Sequence, residues 1–298
     1  IRTMHPDISN PPVYPVVLAG LLKVLPIEYT ASSSPPFRYP PELAIGVFNQ
    51  LLFLGLIVSL FFLTKQLFDG TVAWLSAIIL FGTELFWRFA GSGLSTMLVM
   101  VLFSALLWCL FLLEREAREP KRGQAWQFGL AALCGVLMGI GCLTRYSFGW
   151  FILPLILYVG IFCGPRRLPL ALLAFVSFAV VITPWMIRNY WLSGLPFGTA
   201  TYAVIDNSFL WQGNKLMRSL APRFEVPVGI SPLAPLWNKF FATVKAILAQ
   251  EVPKFSGSWV SAFFLAGLMM NFRNLSIQRL RYFLLFCLPV AVVVQGMG

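Results

Sequence analysis

Two arginine side chains stand where they can bind an anion at the surface of a membrane. Arg145 and Arg188 each closely follow a long apolar run. A guanidinium in such a position can hold a lipid phosphate through two parallel hydrogen bonds. The alternative is that both side chains only extend along the membrane edge to reach water. Asn189 and Tyr190 come next in the chain and add polar groups at the same place.

The motifs by which soluble enzymes bind nucleotides and metals are missing from the sequence. There is no glycine-rich phosphate loop, no Asp-x-Asp pair for a metal-bound nucleotide sugar, and no set of His and Cys residues at metal-binding spacing. An enzyme with this sequence would therefore take a substrate that the membrane delivers, and not a soluble nucleotide.

The composition is that of a membrane protein. Of the 298 residues, 58% are hydrophobic and 11% are charged, and the mean hydropathy is +0.80, whereas soluble proteins are about 25% charged. This excludes a soluble enzyme, a disordered protein and a disulfide-rich secreted module. The net charge of +11 is spread between apolar runs, so we expect no nucleic-acid partner. The five cysteines lie inside these runs and are predicted to be small buried or lipid-facing side chains.

Eight apolar runs are long enough, or nearly so, to cross a hydrocarbon core of roughly 30 Å. They are 42–64, 71–90, 94–113, 126–143, 147–163, 168–187, 258–272 and 281–298. The predicted fold class is all-α, a polytopic transmembrane helix bundle with juxtamembrane helices in two outer loops. We expect Pro184 and the polar residues after it to close the sixth run. Ala131, Gly135 and Gly139 form a row of small residues that predicts close helix packing in the fourth.

The basic residues give the bundle an orientation, because cytoplasmic loops are rich in Lys and Arg. The short opposite loops hold only Arg88 and Arg145. Ten Lys and Arg lie in the loops placed inside, which are 65–70, 114–125, 164–167 and 273–281. The first loop, 1–41, and a large loop, 188–257, are then outside. Six transmembrane helices in 42–187 separate them, and two further, truncated helices follow in 258–298.

Each outer loop contains a stretch that predicts a helix beside the membrane. Residues 13–25 form an apolar run too short to span, which is typical of an interfacial or re-entrant helix. Residues 236–251 carry apolar side chains at three- and four-residue steps with polar ones opposite. That pattern predicts a helix in the headgroup layer. Packing against the rest of the outer domain is the alternative.

Four short motifs, in order, resemble those of GT-C membrane glycosyltransferases of the family 39-like (protein mannosyltransferase) and lipid A aminoarabinose transferase-like group. Residues 5–15 (HPDISNPPVYP) resemble the Pro-Pro motif of the first outer loop, and residues 143–145 (LTR) resemble the end of a span. Residues 183–190 (TPWMIRNY) resemble the Pro-Trp-x-x-Arg-Asn motif, which is the most specific of the four. Residues 211–214 (WQGN) resemble a Gly-Asn motif of the later loop.

The resemblance implies transfer of a sugar from a polyprenyl-phosphate donor to a lipid, glycan or protein acceptor. The reaction would take place on the outer face of a membrane, with a bacterial inner membrane as the favoured setting. A carboxylate would deprotonate the acceptor hydroxyl, and a cation, from Arg, Lys or a divalent metal ion, would stabilise the departing lipid phosphate. The resemblance places the donor phosphate at Arg188 and Arg145. It places substrate contacts at Asn10, Tyr14, Asn189, Tyr190, Trp211 and Asn214.

The first departure from the family pattern concerns the catalytic base. The principal family acid directly follows the first span, and the chain starts at Ile1 without such a span. We therefore take the chain to be a fragment and expect its main catalytic base upstream of Ile1. Asp7 is the nearest acid left as a catalytic candidate, and a turn before Asn10 is its alternative role.

The second departure concerns a further family acid, which is often found near the start of a later span. Thr96 stands at that place in this sequence. Glu84 lies nearby and is a catalytic candidate, because it can substitute for the missing acid. Alternatively it can pair with Arg88 four residues later.

Other functions stay open at this point. A lipid-linked glycan ligase or polymerase would share the fold but use a pyrophosphate-linked glycan. A flippase or transporter would move a lipid-linked sugar without releasing lipid phosphate, although the spans carry almost no ionisable residue near their centres, which argues against ion coupling. A purely structural membrane subunit is the third alternative.

Overall fold

The computed structural model of the chain describes residues 7–27, 29, 39–204, 233–251 and 259–297. Regular structure in this part of the chain is helical throughout, which confirms the predicted all-α polytopic bundle. In chain order the α-helices are α1 (Val13–Val24), α2 (Pro40–Leu67), α3 (Gly70–Gly82), α4 (Glu84–Gly91), α5 (Thr96–Arg118), α6 (Gln124–Thr144), α7 (Ile152–Phe162), α8 (Arg167–Ser193), α9 (Leu233–Ala246), α10 (Trp259–Met269) and α11 (Leu275–Met297).

The described residues hold fewer helices of spanning length than the eight predicted runs. Five are long and apolar enough to cross a membrane, namely α2, α5, α6, α8 and α11. The run 71–90 is divided into α3 and α4, which meet at an angle of 57° around Thr83 and make a sixth span only if both belong to it. The runs 147–163 and 258–272 yield α7 and α10, each of 11 residues, where a straight span needs about 20.

Helix α8 extends beyond the predicted run 168–187, because neither Pro184 nor the polar residues after it end the helix. A proline inside a helix removes one backbone donor and often ends or bends it, but α8 continues through this residue to Ser193. In the turn before the proline the hydroxyl of Thr183 also donates to the carbonyl of Ala179, at 2.6 Å. Because α8 continues past the proline, Arg188 and Asn189 lie on the last turns of a helix and not in a loop.

Close packing of α6 against α8 forms the centre of the bundle. A Cβ atom added to Gly135 would overlap the carbonyl oxygen of Ala174, and one added to Gly139 would lie 2.6 Å from the Cβ of Val181. Small residues let two helix backbones approach this closely. The predicted role of the small-residue row is therefore confirmed. The buried apolar core extends from this contact to α5, α7 and α11.

The predicted basic loops meet at one end of the bundle. The carboxylate of Glu114, fully buried at the end of α5, accepts from Arg279 Nη1 at 2.6 Å and from the Ser276 hydroxyl at 2.7 Å. Asn274 donates to the carbonyl of Leu67 at the end of α2. These contacts bring three of the four loops together. Helices α2 and α5 end among these loops, and α8 begins there. Because each of them runs the length of the bundle, the last turns of α8 lie at the other end, as do the residues after Arg145.

Both predicted juxtamembrane segments form helices, α1 and α9. Phe240 and Val244 of α9 pack against Gly296 near the end of α11, so part of the apolar stripe faces the protein, as in the packing alternative. Trp237 and Phe241 lie on the same helix with more than half of their surface exposed. They are left to face lipid or solvent.

Candidate functional site

Arg188, on the last turns of α8, is the centre of a polar cluster. Its Nη1 atom donates to the backbone carbonyl of Asp7 at 3.0 Å and to the side-chain oxygen of Asn189 at 2.8 Å. These two bonds use both hydrogens of Nη1. Within the described residues, Nε and Nη2 of Arg188 have no hydrogen-bond partner. The guanidinium therefore keeps one edge of two parallel donors, the geometry that binds a phosphate bidentately.

A tryptophan holds the guanidinium in place from one face. The Cζ atom of Arg188 lies 4.3 Å from the ring centre of Trp185, three residues earlier on the same helix face. The ring is itself oriented, because its Nε1 donates to the hydroxyl of Tyr146 at 2.7 Å. Tyr146 in turn makes an edge-to-face contact with Phe197, at 5.4 Å between ring centres. The arginine thus rests on a layer of aromatic side chains from two parts of the chain.

Asp7 forms a local turn with its carboxylate. Oδ1 accepts from the amides of Ser9 and Asn10 and from the Ser9 hydroxyl, at 2.9 to 3.1 Å, and Oδ2 accepts from Asn10 Nδ2 at 3.0 Å. Burial raises the pKa of Asp7, but the hydrogen bonds from Asn10 and Ser9 outweigh it and leave the pKa below the ordinary value. A carboxylate so engaged is ionised and is a weak proton acceptor. Its contacts favour the turn role.

The turn is packed tightly against the chain that follows α8. Gly198 has φ +56°, and a Cβ atom there would overlap the carbonyl oxygen of Ile8. Only glycine adopts this conformation easily and allows the backbone of Ile8 to approach so closely. The first outer loop and the segment after α8 are therefore in direct contact beside Arg188.

Two of the predicted substrate contacts are buried. Asn189 is fully buried, and its Nδ2 donor has no hydrogen-bond partner among the described residues. The ring of Tyr14 is buried as well, and its hydroxyl bonds to Asn49. Both side chains are thus enclosed by the protein, where the hydroxyl of Tyr14 bonds to Asn49 and the side-chain oxygen of Asn189 accepts from Arg188.

Three further predicted site residues are more exposed. Asn10 is held in the turn by its bond to Asp7. Tyr190 is 58% exposed on α8. Arg145 is exposed directly before Tyr146, and its side chain makes no hydrogen bond or ion pair with any residue that the structure describes. Substrate contact by these three side chains stays a prediction.

Glu84 lies in an ion pair at the start of α4. Its Oε1 accepts from Arg88 Nε at 3.0 Å and from Nη2 at 2.8 Å, and both side chains are more than 70% exposed. Of the two roles considered for Glu84, these contacts are those of the ion pair with Arg88 and not of a catalytic acid. In the part of the chain that is described, no three His, Cys, Asp or Glu side chains come together as a metal site would require. The five cysteines are free and buried, as predicted.

Three positions named in the sequence predictions lie outside the described residues. They are Trp211 and Asn214, the two expected substrate contacts of the later loop, and Ile1, upstream of which the main catalytic base is expected. The position of that base therefore stays a prediction. Asp7 and Glu84, the two candidate acids within the described residues, are each engaged with other partners.

Sequence reasoning missed two supports of the cluster. The contact of Trp185 with Arg188 could have been inferred from their three-residue spacing on a helix. Tyr146 follows the quoted Leu-Thr-Arg motif directly, but no local pattern indicates that its hydroxyl bonds to an indole 39 residues later.

Comparison with known proteins gives one match. The family described as dolichyl-phosphate-mannose-protein mannosyltransferase matches residues 38–188, which is just over half of the chain and ends at the arginine of the cluster. The chain belongs to this mannosyltransferase family. No curated protein and no solved structure matches it.

Membership of the mannosyltransferase family gives the general class of the protein. It is a membrane glycosyltransferase of the GT-C type, integral to the lipid bilayer. Its substrates are therefore of the lipid-linked kind in general. The motif residues Trp185 and Arg188 fall within the matched range, whereas Asp7, Asn10 and Tyr14 precede it.

Proposed function

We propose that this protein transfers a sugar from a polyprenyl-phosphate donor to an acceptor hydroxyl on the outer face of the membrane, with Arg188 as the ligand of the donor phosphate. The observation that carries the proposal is the free edge of the Arg188 guanidinium. The protein uses both hydrogens of Nη1 internally and leaves the Nε–Nη2 edge to an anion. The family assignment supplies the reaction class.

The chemistry needs a cation at this place. A bond forms between the acceptor oxygen and the anomeric carbon, while the bond from that carbon to the phosphate oxygen breaks, and its electron pair stays on the phosphate. The acceptor proton passes to a general base. Negative charge therefore grows on the lipid phosphate in the transition state, and a preorganised guanidinium stabilises it without having to reorient.

The contacts of Arg188 explain how it is preorganised. A long side chain at a membrane edge is usually mobile, and ordering it costs conformational entropy. Here the ring of Trp185, the carbonyl of Asp7 and the amide of Asn189 restrict it before any donor arrives. Snorkelling alone would need none of these contacts.

We assign Asp7 a positioning role and not that of the base. Its lone pairs are taken up in the turn, its pKa is lowered, and its carbonyl holds Arg188. Arg145, exposed at the same end of the bundle, is proposed as a second cation near the phosphate. The outer face and a bacterial inner membrane are the proposed setting, because the basic loops meet at the opposite end.

The test is release of polyprenyl phosphate by the protein in nanodiscs, with polyprenyl-phosphate sugars supplied as a mixture. Arg188→Ala should lower the rate by about a hundredfold or more, the effect typical of losing one donor to a developing oxyanion. Arg88→Ala is the matched control, because Arg88 is an exposed arginine that is paired with Glu84. It should keep the wild-type rate.

Competition separates the monophosphate donor from its nearest rival. If polyprenyl monophosphate inhibits transfer and the pyrophosphate does not, the donor class is as proposed. Inhibition by the pyrophosphate alone would indicate a ligase or polymerase. Equal rates for the wild type and Arg188→Ala, with both proteins folded, would refute the assignment of the phosphate to Arg188.

A further inference from the structure

A buried asparagine joins three segments at the outer end of the bundle. Asn49, on α2, is fully buried, and its Nδ2 atom donates to the carbonyl of Ser92 at 2.7 Å and to the hydroxyl of Tyr14 at 3.0 Å. These two bonds use both amide hydrogens. Tyr14 belongs to α1, and Ser92 lies between α4 and α5. The junction therefore links the first outer loop to two other parts of the bundle.

This junction holds α1 by its one buried side chain. Tyr14 is buried, while Val16 and Val24 are 67% and 82% exposed. The other apolar side chains of the helix are at most partly buried, some of them where α1 packs on α6. A buried polar group that has lost water is costly unless it is hydrogen-bonded, so the bond between Tyr14 and Asn49 resists any movement that would break it.

The anchor lies close to the phosphate site along the chain. Helix α1 begins at Val13, directly after the turn of residues 7–10, and the carbonyl of Asp7 in that turn accepts from Arg188. The other side of the turn is packed on Gly198. The position of α1 therefore sets where the turn stands relative to the end of α8, and with it the orientation of the guanidinium.

We propose that Asn49 is a positioning residue for the transfer reaction. By bonding to Tyr14 it holds α1 on α2, and through α1 it holds the Asp7 turn against Arg188. Asn49 touches no substrate in this account. The inference rests on the proposed role of Arg188, since a displaced turn affects catalysis only if the arginine that it holds binds the donor phosphate.

Tyr14→Phe is the sharpest test, because it removes one hydroxyl and leaves the ring and the bond from Asn49 to Ser92 in place. The protein in nanodiscs is measured in two ways: hydrogen exchange of the backbone amides of residues 13–24, and steady-state transfer with a polyprenyl-phosphate sugar. Tyr29→Phe is the matched control, because Tyr29 is 61% exposed and its hydroxyl has only a long contact, 3.4 Å, to the carbonyl of Leu22.

We expect Tyr14→Phe to exchange severalfold faster in α1 and to lower kcat about tenfold, with KM for the donor changed less than twofold. The unfolding temperature should fall as well, because one buried amide hydrogen of Asn49 loses its partner. Misplacement of a reacting group costs more in the transition state than in ground-state binding. A purely structural role would lower the unfolding temperature and leave kcat alone. Tyr29→Phe should match the wild type in both measurements.

The two readouts keep this inference apart from the proposed function. If the amides of residues 13–24 exchange at the wild-type rate in Tyr14→Phe, the bond to Asn49 does not hold α1, whatever the activity is. Faster exchange with unchanged kcat overturns the positioning role and leaves the phosphate site intact. If the wild type transfers no sugar from any polyprenyl-phosphate donor, the proposed function fails, and the positioning role, which rests on it, fails as well, while the exchange result still reports on the anchor.

Discussion

The guanidinium of Arg188 has two edges with different partners. One nitrogen is saturated by a backbone carbonyl and an asparagine oxygen, and the other two make no hydrogen bond with any described acceptor. The ring of Trp185 covers one face at 4.3 Å. An arginine held in this way has lost most of its rotamer freedom before a ligand binds, so the binding energy of a phosphate is not spent on ordering it.

The role of Asp7 can be separated from that of a base by two substitutions. Asp7→Asn keeps a side-chain oxygen that can accept from the amides of Ser9 and Asn10, so we expect transfer within about twofold of the wild type. Asp7→Ala loses the turn and should transfer about tenfold more slowly. The measurement is kcat with a saturating donor. If Asn and Ala are equally inactive, Asp7 is the base and the positioning assignment is wrong.

The pH dependence gives a second check on Asp7. Burial raises its pKa, but the hydrogen bonds from Asn10 and Ser9 lower it by more, to below the ordinary value of 3.8. A carboxylate whose pKa is lowered in the folded protein stabilises the fold. This stabilisation is complete above the ordinary pKa and is lost as the pH falls through the lowered pKa. The pH–rate profile above roughly pH 5 should therefore be the same for the wild type and Asp7→Asn. If the rate of the wild type changes with pH in this range and the change is absent in Asp7→Asn, the assignment of Asp7 as a positioning residue is contradicted.

Helix α8 carries the site because it is held at close range by α6. The two helices meet at glycines whose missing side chains leave no room for a Cβ atom. Past Pro184, α8 continues for more than two turns, which puts Trp185 and Arg188 on one face. A shift of α8 along α6 would therefore move the guanidinium relative to the outer loop.

Gly135→Ala should destabilise the protein through this contact. The new Cβ atom would overlap the carbonyl oxygen of Ala174, and overpacking of this kind costs about 1–3 kcal/mol. Gly129→Ala is the matched control on the same helix, since nothing lies within 4 Å of the position of its Cβ atom, and alanine favours a helix. Thermal unfolding in detergent should show a lower midpoint for the first variant alone. Equal midpoints would show that α6 and α8 are not in close contact.

The whole molecule is divided into two chemically different ends. At one end Glu114, Ser276 and Arg279 tie α5 to α11 among the basic loops. At the other end the first outer loop, the last turns of α8 and helix α9 come together. Because cytoplasmic loops are rich in Lys and Arg, the first end is expected inside and the site outside.

Cysteine labelling tests this orientation. The five native cysteines are buried, so an impermeant maleimide should react little with the wild type. In intact cells Arg88→Cys should be labelled, whereas Lys121→Cys should be labelled only after the cells are opened. Both positions are exposed, so burial does not explain a difference. The reverse pattern would invert the molecule and place the site in the cytoplasm.

The sequence by itself determined the class of protein and half of the site. A chain with so many apolar runs and so few charges has only helices by which to satisfy its backbone in lipid, and the helices form largely where the runs lie. Trp185, Arg188 and Asn189 are close in sequence on one helix, so their motif singled out the arginine and the asparagine, although the contact of Trp185 with Arg188 was not predicted. The row of small residues likewise predicted the close contact of α6 with another helix.

Only the tertiary structure decided the contacts between distant segments. Arg188 meets the Asp7 turn 181 residues away, and Asn49 bonds to Tyr14 and Ser92, because the helices pack in one particular arrangement. Local propensity carries no information on such pairs. The bend at Thr83 and the passage of α8 through Pro184 were decided in the same way, since packing against neighbouring helices outweighs the preference of a single residue.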